Sequence, residues 1–188
     1  FVAILQADEG ALVERQRPDL PMVPAGRSIL PNGQFRPGEW EDAVEIRTVA
    51  DSAVYLKKDE AHFYLGIKFL GPMHTGIDLY LAEPGGLRKK LHVSAALGEA
   101  EWKDGAWAYI QWGKNARWTA NSIGMIVENG ERKVVPLEGF EFQISRDLLS
   151  GDTWRLFFHL KRPDLEFPSQ AEKNDVTHWL GIEMSGKE

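Results

Sequence analysis

The sequence contains no cysteine, and this absence excludes several kinds of site. Without thiols the chain has no disulfide framework, no cysteine nucleophile and no zinc or iron–sulfur site held by cysteine. It also lacks a basic excess, because 22 Lys and Arg residues stand against 28 Asp and Glu residues, for a net charge of −6. Nucleic acid and anionic membranes are therefore poor candidate partners. No apolar run reaches the roughly 18 residues that a transmembrane helix needs, so no membrane insertion is expected.

The common signatures of catalysis are also missing. The sequence has no G-x-S-x-G nucleophile elbow, no P-loop, no dinucleotide-binding fingerprint and no H-E-x-x-H motif. Carboxylates are plentiful, and glycosidases use pairs of them, but the sequence does not place two of them at a working separation. We therefore expect a protein that is not an enzyme.

The first 34 residues differ in composition from the rest of the chain. Phe1–Ala7 is a short apolar segment with two interpretations, the end of a signal-peptide hydrophobic region or an ordinary first strand. Four prolines follow, and they disfavour a helix and predict an extended arm lying over the domain. We expect this arm to span residues 1–34 and a single domain to span residues 35–188. The four prolines are Pro18, Pro21, Pro24 and Pro31.

From residue 35 onward, the hydrophobic pattern has the period of two that is typical of β-strands. It is clearest in residues 62–69, where every second residue is apolar and the preceding segment completes a hairpin. Asn129-Gly130 is a strong hairpin-turn signal, because both residues tolerate positive φ. Hydrophobic residues make up 43% of the chain, which is enough for a core. About ten short strands with frequent turns predict an all-β, antiparallel sandwich of the jelly-roll kind.

Two motifs in this region resemble a known group of domains. Residues 38–43, Gly-Glu-Trp-Glu-Asp-Ala, resemble the W-x-x-A opening of family 9 carbohydrate-binding modules and DOMON-like domains. Residues 140–149 resemble the E-x-x-I-P-x-x-x-L segment of that group, with Ser145 in place of the usual proline. The resemblance covers residues 35–184 and implies a β-sandwich domain that binds a sugar or, in some DOMON-like members, haem. Packing considerations also predict that Trp40 closes one end of the sandwich.

The densest group of aromatic residues lies in residues 102–121 and is a candidate sugar-binding segment. Aromatic rings stack on the CH faces of pyranoses, and nearby amide and guanidinium groups supply hydrogen bonds. In a regular strand Tyr109 and Gln111 share one face and Trp112 lies on the other, so we expect some of the rings to be core. The candidate binding residues are Trp102, Trp107, Tyr109, Trp112, Asn115, Arg117, Trp118 and Asn121.

A second candidate surface is the polar side of the central strands. If these strands were neighbours in one sheet, their polar residues would form a single decorated surface. Such a surface is either a ligand site or a solvated sheet face. Of the two candidates, we expect the segment 102–121 to carry the binding. The polar residues of the second surface are Tyr64, Lys68, Asp78, Tyr80, His92 and Ser94.

Three functions remain open on the sequence. The first, which we expect, is a non-catalytic carbohydrate-binding domain of an extracytoplasmic protein, whether secreted, periplasmic or at the cell surface. Its partners would be a poly- or oligosaccharide and a companion catalytic domain or subunit, and it would need no cofactor. The second is a haem-binding electron-transfer domain, with Met73, His74 and Met125 as candidate axial ligands. The third is a structural domain without a small ligand.

Overall fold

The structure, a computed structural model, describes residues 20–48, 52–69, 75–113, 115–162, 164–169 and 171–185. The segment 1–7 and the candidate haem ligands Met73 and His74 lie outside these residues. The described residues form fourteen strands and a single turn of 3-10 helix at Val176–His178. The strands are β1 Val44–Arg47, β2 Ala53–Lys58, β3 His62–Lys68, β4 Gly76–Ala82, β5 Arg88–Val93, β6 Leu97–Lys103, β7 Ala106–Trp112, β8 Trp118–Ala120, β9 Gly124–Glu128, β10 Glu131–Val135, β11 Gly139–Ser145, β12 Thr153–Lys161, β13 Leu165–Phe167 and β14 Leu180–Glu183.

The strands form two large antiparallel sheets and a separate hairpin. The five-stranded sheet has the order β1-β2-β3-β11-β8, and the seven-stranded sheet has the order β13-β12-β4-β5-β6-β7, with β14 paired to β12. Strands β9 and β10 form the hairpin, and its turn residues Asn129 and Gly130 have φ of 52° and 82°. The predicted all-β, antiparallel fold is confirmed. More strands occur than we expected, because three-residue strands such as β8 and β13 are too short to show alternation.

The apolar faces of the two large sheets pack against each other to form the core. Phe63 of β3 meets Trp154 of β12 in a T-shaped contact with ring centroids 5.6 Å apart, so the contact joins the two sheets. Because side chains alternate along a strand, the residues between these apolar positions point to the two outer faces. The core includes Val54, Leu56, Phe63, Leu65, Ile67, Ile77, Leu79, Leu81, Leu91, Val93, Phe140, Phe142, Ile144, Trp154, Leu156, Phe158 and Leu160.

The described part of the N-terminal arm is extended and lies against both sheets. Val23 is buried, and its N–H donates to the carbonyl oxygen of Glu183 at the end of β14. Two residues later, Ala25 forms a parallel bridge with Lys58 at the end of β2. The boundary of the arm at residue 34 stays a prediction.

Trp40 lies on the outer face of the five-stranded sheet, so the expectation that it closes an end of the sandwich is wrong. Its indole packs over Gly66 of β3, where an added Cβ would come within 2.8 Å of the ring. Gly66 pairs directly with Glu141 of β11, and Glu141 alternates with the core residues Phe140 and Phe142. The lack of a side chain at Gly66 therefore lets the indole pack closely against β3, the central strand of this sheet.

Candidate functional site

The outer face of the seven-stranded sheet carries the polar residues of β4 and β5. Asp78 pairs with His92 and Tyr80 pairs with Lys90, so these four side chains are neighbours on one surface. We call this surface, with the outward residues of β6 and β7, the β4–β7 face. The condition for a single six-residue polar surface, that these strands are neighbours in one sheet, is not met. Tyr64 and Lys68 belong to β3, and β3 and β4 lie in different sheets although they follow each other in the chain.

A β-bulge in β7 brings Trp112 to the same face as Tyr109. Gln111 pairs with Glu99 and Tyr109 pairs with Ala100, so Ile110 is an extra residue opposite β6. An extra residue reverses the alternation of side chains beyond it. The prediction that Tyr109 and Trp112 lie on opposite faces is therefore wrong.

Tyr109 and Trp112 form an exposed stacked pair, which we call the aromatic platform. Their ring centroids are 4.4 Å apart and their planes differ by 20°. Tyr109 is 41% exposed and Trp112 is 57% exposed. The partner of Trp112 across the strands is Gly98 of β6, where a Cβ would lie 2.8 Å from the indole. Glycine at this position therefore lets the platform lie close against β6.

Polar groups border the platform. His92 Nδ1 lies 2.5 Å from Asp78 Oδ1 and its Nε2 lies 2.9 Å from the Ser94 hydroxyl. The imidazole also meets Trp112 in a T-shaped contact, with centroids 5.9 Å apart. Burial acts to raise the pKa of Asp78, but its bonds to His92 and Lys161 outweigh burial and lower the pKa below its usual value. Asp78 is therefore an ionised anchor that fixes His92 beside the platform.

Trp102 and Trp107 lie at the other end of the β4–β7 face. They meet in a T-shaped contact with centroids 5.3 Å apart, and Trp107 also contacts Tyr80 at 5.2 Å. Tyr80 and Trp107 belong to a cluster with Trp179, so the C-terminal segment covers this end. The Trp107 indole nitrogen is buried and has no hydrogen-bond partner among the described residues. The aromatic platform is the open end of the face.

Three of the other predicted residues surround a buried carboxylate, Glu99 of β6. Trp118 is 3% exposed and donates its indole N–H to Glu99 at 3.1 Å. Asn115 donates its amide to the same carboxylate, and the Arg117 guanidinium lies 3.5 Å from it. Glu99 follows Gly98 in the strand, so it points away from the platform. These three residues therefore lie around the opposite side of β6.

Asn121, the last predicted residue, is tied to the five-stranded sheet. It is 6% exposed, donates its amide to the Gly139 carbonyl at 3.1 Å and accepts the N–H of Glu141 at 2.6 Å. These bonds continue the pairing of the chain with β11 beyond the end of β8. Asn121 is thus brought together with β11 and not with the platform.

A buried ionic network lies behind the platform. Lys89 Nζ is 2.7 Å from Glu99 and 2.6 Å from Glu101. Hydrogen bonds from Lys89 and Lys103 lower the pKa of Glu101 to about 2. Lys90, the next residue along β5, points to the opposite side, where its ammonium lies 4.4 Å from the centroid of the Tyr109 ring. The sequence alone does not single out Lys90, since the two adjacent lysines are distinguished only by their strand neighbours.

The candidate haem ligands are not brought together within the described residues. Met125 lies in β9 of the separate hairpin, and the other two candidates lie outside the described residues. Within the described ranges, no group of three or more His, Cys, Asp or Glu residues is placed to hold a metal ion. The same residues include no helix with the length and apolar character needed to cross a bilayer.

The fold is similar to that of a solved carbohydrate-binding module. A family 9 module from Caldicellulosiruptor kristjanssonii, solved in complex with cellotriose, matches with a TM-score of 0.54 and 10% sequence identity, covering 89% of this chain and 94% of that chain. No protein-family model matches the sequence, and no curated protein does. The resemblance that the motifs in residues 38–43 and 140–149 indicated is therefore confirmed at the level of the fold, which is a β-sandwich like that of a family 9 module.

Proposed function

We propose that this protein is a non-catalytic carbohydrate-binding domain and that the aromatic platform is its binding surface. The observation that carries the proposal is the exposed stack of Tyr109 and Trp112 beside fixed polar groups on an open sheet face. An aromatic ring accepts the apolar face of a pyranose, while polar groups at its border bond the hydroxyls. The solved module of similar fold, which holds cellotriose, supports the same ligand class.

The residues of the β4–β7 face have distinct proposed roles. Trp112 offers a ring face for stacking, and Tyr109 holds that ring in place from the other side. Lys90 supplies hydrogen bonds at the border of the platform, and His92, whose two ring nitrogens are paired with Asp78 and Ser94, packs edge-on against Trp112. Trp has only two χ angles, so an ordered indole loses little entropy when a sugar stacks on it.

The remaining predicted residues divide into two groups under this proposal. Trp102 and Trp107 extend the same face beyond the platform and shape its covered end. The other four have hydrogen-bond or ion-pair partners within the fold, and we propose that they support the sheets without touching the sugar. These four are Asn115, Arg117, Trp118 and Asn121.

We further propose that the domain acts outside the cytoplasm and works with a companion catalytic domain or subunit. A binding domain of this kind raises the effective concentration of a linked enzyme at an insoluble or polymeric substrate. The affinity of the domain alone need not be high, because two linked binding sites on the same polymer together bind more tightly than either site does alone.

Affinity gel electrophoresis against a panel of soluble polysaccharides tests the proposal. The panel should include β-glucans, xylans, mannans and pectins, and circular dichroism should confirm that the protein is folded. We expect at least one polysaccharide to retard the protein, and titration with haem to leave the Soret band at the position and width of free haem. A folded protein that no polysaccharide retards contradicts the proposal.

A further inference from the structure

We propose that the platform selects saccharides that carry a carboxylate, as uronic acid units do, and that Lys90 recognises this charge. The inference rests on the proposed function and specifies its ligand class. Lys90 is a cation placed next to the stacking rings.

Among the described residues, the strand partners of Lys90 and the ring beside its ammonium include no acid. Across the strands it pairs with Tyr80 on one side and Ala100 on the other, and its ammonium lies 4.4 Å from the Tyr109 ring centroid. Within the described ranges, no aspartate or glutamate forms an ion pair with it. The attraction between an ammonium and an aromatic ring holds the cation in place but leaves its charge unneutralised.

Two other lysines, Lys89 and Lys57, have buried side chains that are neutralised by carboxylates. Lys89 meets Glu99 and Glu101, and Lys57 lies 2.8 Å from Asp42. Pairing of this kind is the usual way to offset the cost of removing a cation from water. Lys90 differs from these two lysines and lies where the sheet face is open, so an anionic group on a bound ligand would complete its pairing.

Arg88 repeats the arrangement two residues earlier on the same side of β5. Its guanidinium lies 5.7 Å from the Trp102 ring, and its hydrogen bond goes to the Asn174 carbonyl oxygen. No carboxylate among the described residues forms an ion pair with it. Two cations without carboxylate partners thus follow one strand, each beside an aromatic ring of the β4–β7 face.

The described acidic residues of the β4–β7 face do not neutralise Lys90, so its ammonium is free to pair with an anionic ligand. The two carboxylate oxygens of Asp78 are occupied by His92 at 2.5 Å and by Lys161 at 3.1 Å. Glu166 lies on β13, which β12 and β4 separate from β5. The chain as a whole has a charge of −6, so long-range electrostatic attraction does not favour the binding of an acidic sugar. A preference for acidic over neutral saccharides must therefore come from Lys90 itself, and added salt should weaken this preference.

Matched pairs of ligands that differ at one carbon, with and without a carboxylate, test the inference by isothermal titration calorimetry at low ionic strength. Suitable pairs are homogalacturonan oligosaccharides with their methyl esters, and cello-oligosaccharides with their C6-carboxylated forms. For the pair that binds, we expect the wild-type protein to bind the carboxylated member roughly tenfold more tightly. Lys90→Gln should bring the ratio of affinities close to one. Lys68→Gln is the matched control, because Lys68 also lies over a ring, that of Phe35, but in the other sheet.

The outcomes of this experiment distinguish the proposed charge preference from carbohydrate binding itself. Wild-type protein that binds the neutral member as tightly as the acidic one overturns the inference and leaves carbohydrate binding intact. A preference that survives Lys90→Gln also overturns it, since another group then reads the charge. A folded protein that binds neither member of any pair, and no other saccharide, overturns the proposed function as well.

Discussion

Trp40 donates its indole N–H to Glu141 at 3.1 Å, although the two residues are 101 positions apart in the chain. The backbone N–H groups of Asn32 and Gly33 donate to the other carboxylate oxygen, each at 2.8 Å. Trp40 and Glu141 come from the two motifs that resembled family 9 modules, so the motifs meet physically at this carboxylate. Burial nevertheless raises the pKa of Glu141 to about 7, although each of these bonds acts to lower it.

The raised pKa of Glu141 predicts that stability falls as pH rises between 4.5, the ordinary value, and about 7. In this window the folded protein binds a proton that the unfolded chain has lost. The stabilising contribution is therefore complete below the lower value and is lost as pH reaches the upper one. The free energy of unfolding should fall by up to about 1.4 kcal/mol for each pH unit. Urea unfolding at several pH values measures this slope.

Glu141→Gln separates this effect from other titrations, because glutamine does not ionise. The variant should lose the part of the slope that Glu141 contributes, whereas Glu131→Gln on the exposed hairpin should keep the whole slope. Burial also raises the pKa of Glu39, and its contribution has the same sign and remains in both variants. The lowered pKa of Glu101, about 2, does not interfere, since its stabilisation is lost only as pH falls below the ordinary carboxyl range. A slope in Glu141→Gln as steep as that of the wild type would show that another group, such as Glu39, causes it.

The strands could be predicted from the sequence because alternation is a local property. Phe63, Leu65 and Ile67 alternate in the printed sequence and lie in the core, and Asn129-Gly130 forms the expected turn. Assignment of strands to sheets could not be predicted in this way. Nothing in residues 62–82 shows that β3 and β4 separate into different layers, since that depends on distant partners such as β11 and β12.

The candidate site could be predicted only in part. The segment 102–121 does contain the exposed aromatic platform, but the bulge at Ile110 has no local signal, because isoleucine fits a regular strand equally well. Trp112 and Trp118 cannot be distinguished by type or spacing. One is exposed and the other is bonded to Glu99, and only the pairing of β6 with β7 and of β8 with β11 separates them.

Substitution of the adjacent residues Lys89 and Lys90 should have very different effects on the free energy of unfolding. Lys89→Met leaves Glu99 buried without its main counter-charge, which should cost about 3–5 kcal/mol. Lys90→Met removes a cation from the open face and should change the free energy of unfolding by less than about 1 kcal/mol. Chemical denaturation of both variants measures the difference, and equal losses would contradict the network as described.

Gly98 should be necessary for the geometry of the platform. Gly98→Ala puts a Cβ about 2.8 Å from the Trp112 ring, so the ring must move outward. Because the ring is exposed, we expect little loss of stability but a roughly tenfold weaker affinity for the saccharide. In a Trp112→Ala background the same change should have no further effect on binding, because the two positions act through one contact. Additive losses would mean that Gly98 acts elsewhere.

The central claim is that Trp112 binds the ligand and Trp118 supports the fold, and single alanine variants of the two tryptophans test it most directly. Each variant is measured for thermal unfolding and for affinity toward the best polysaccharide from the panel. Trp112→Ala should melt like the wild type and lose at least roughly tenfold in affinity. Trp118→Ala should lose about 3–5 kcal/mol of stability, because it empties a buried site. A Trp112→Ala protein that binds like the wild type, or that unfolds as early as Trp118→Ala, would contradict the claim.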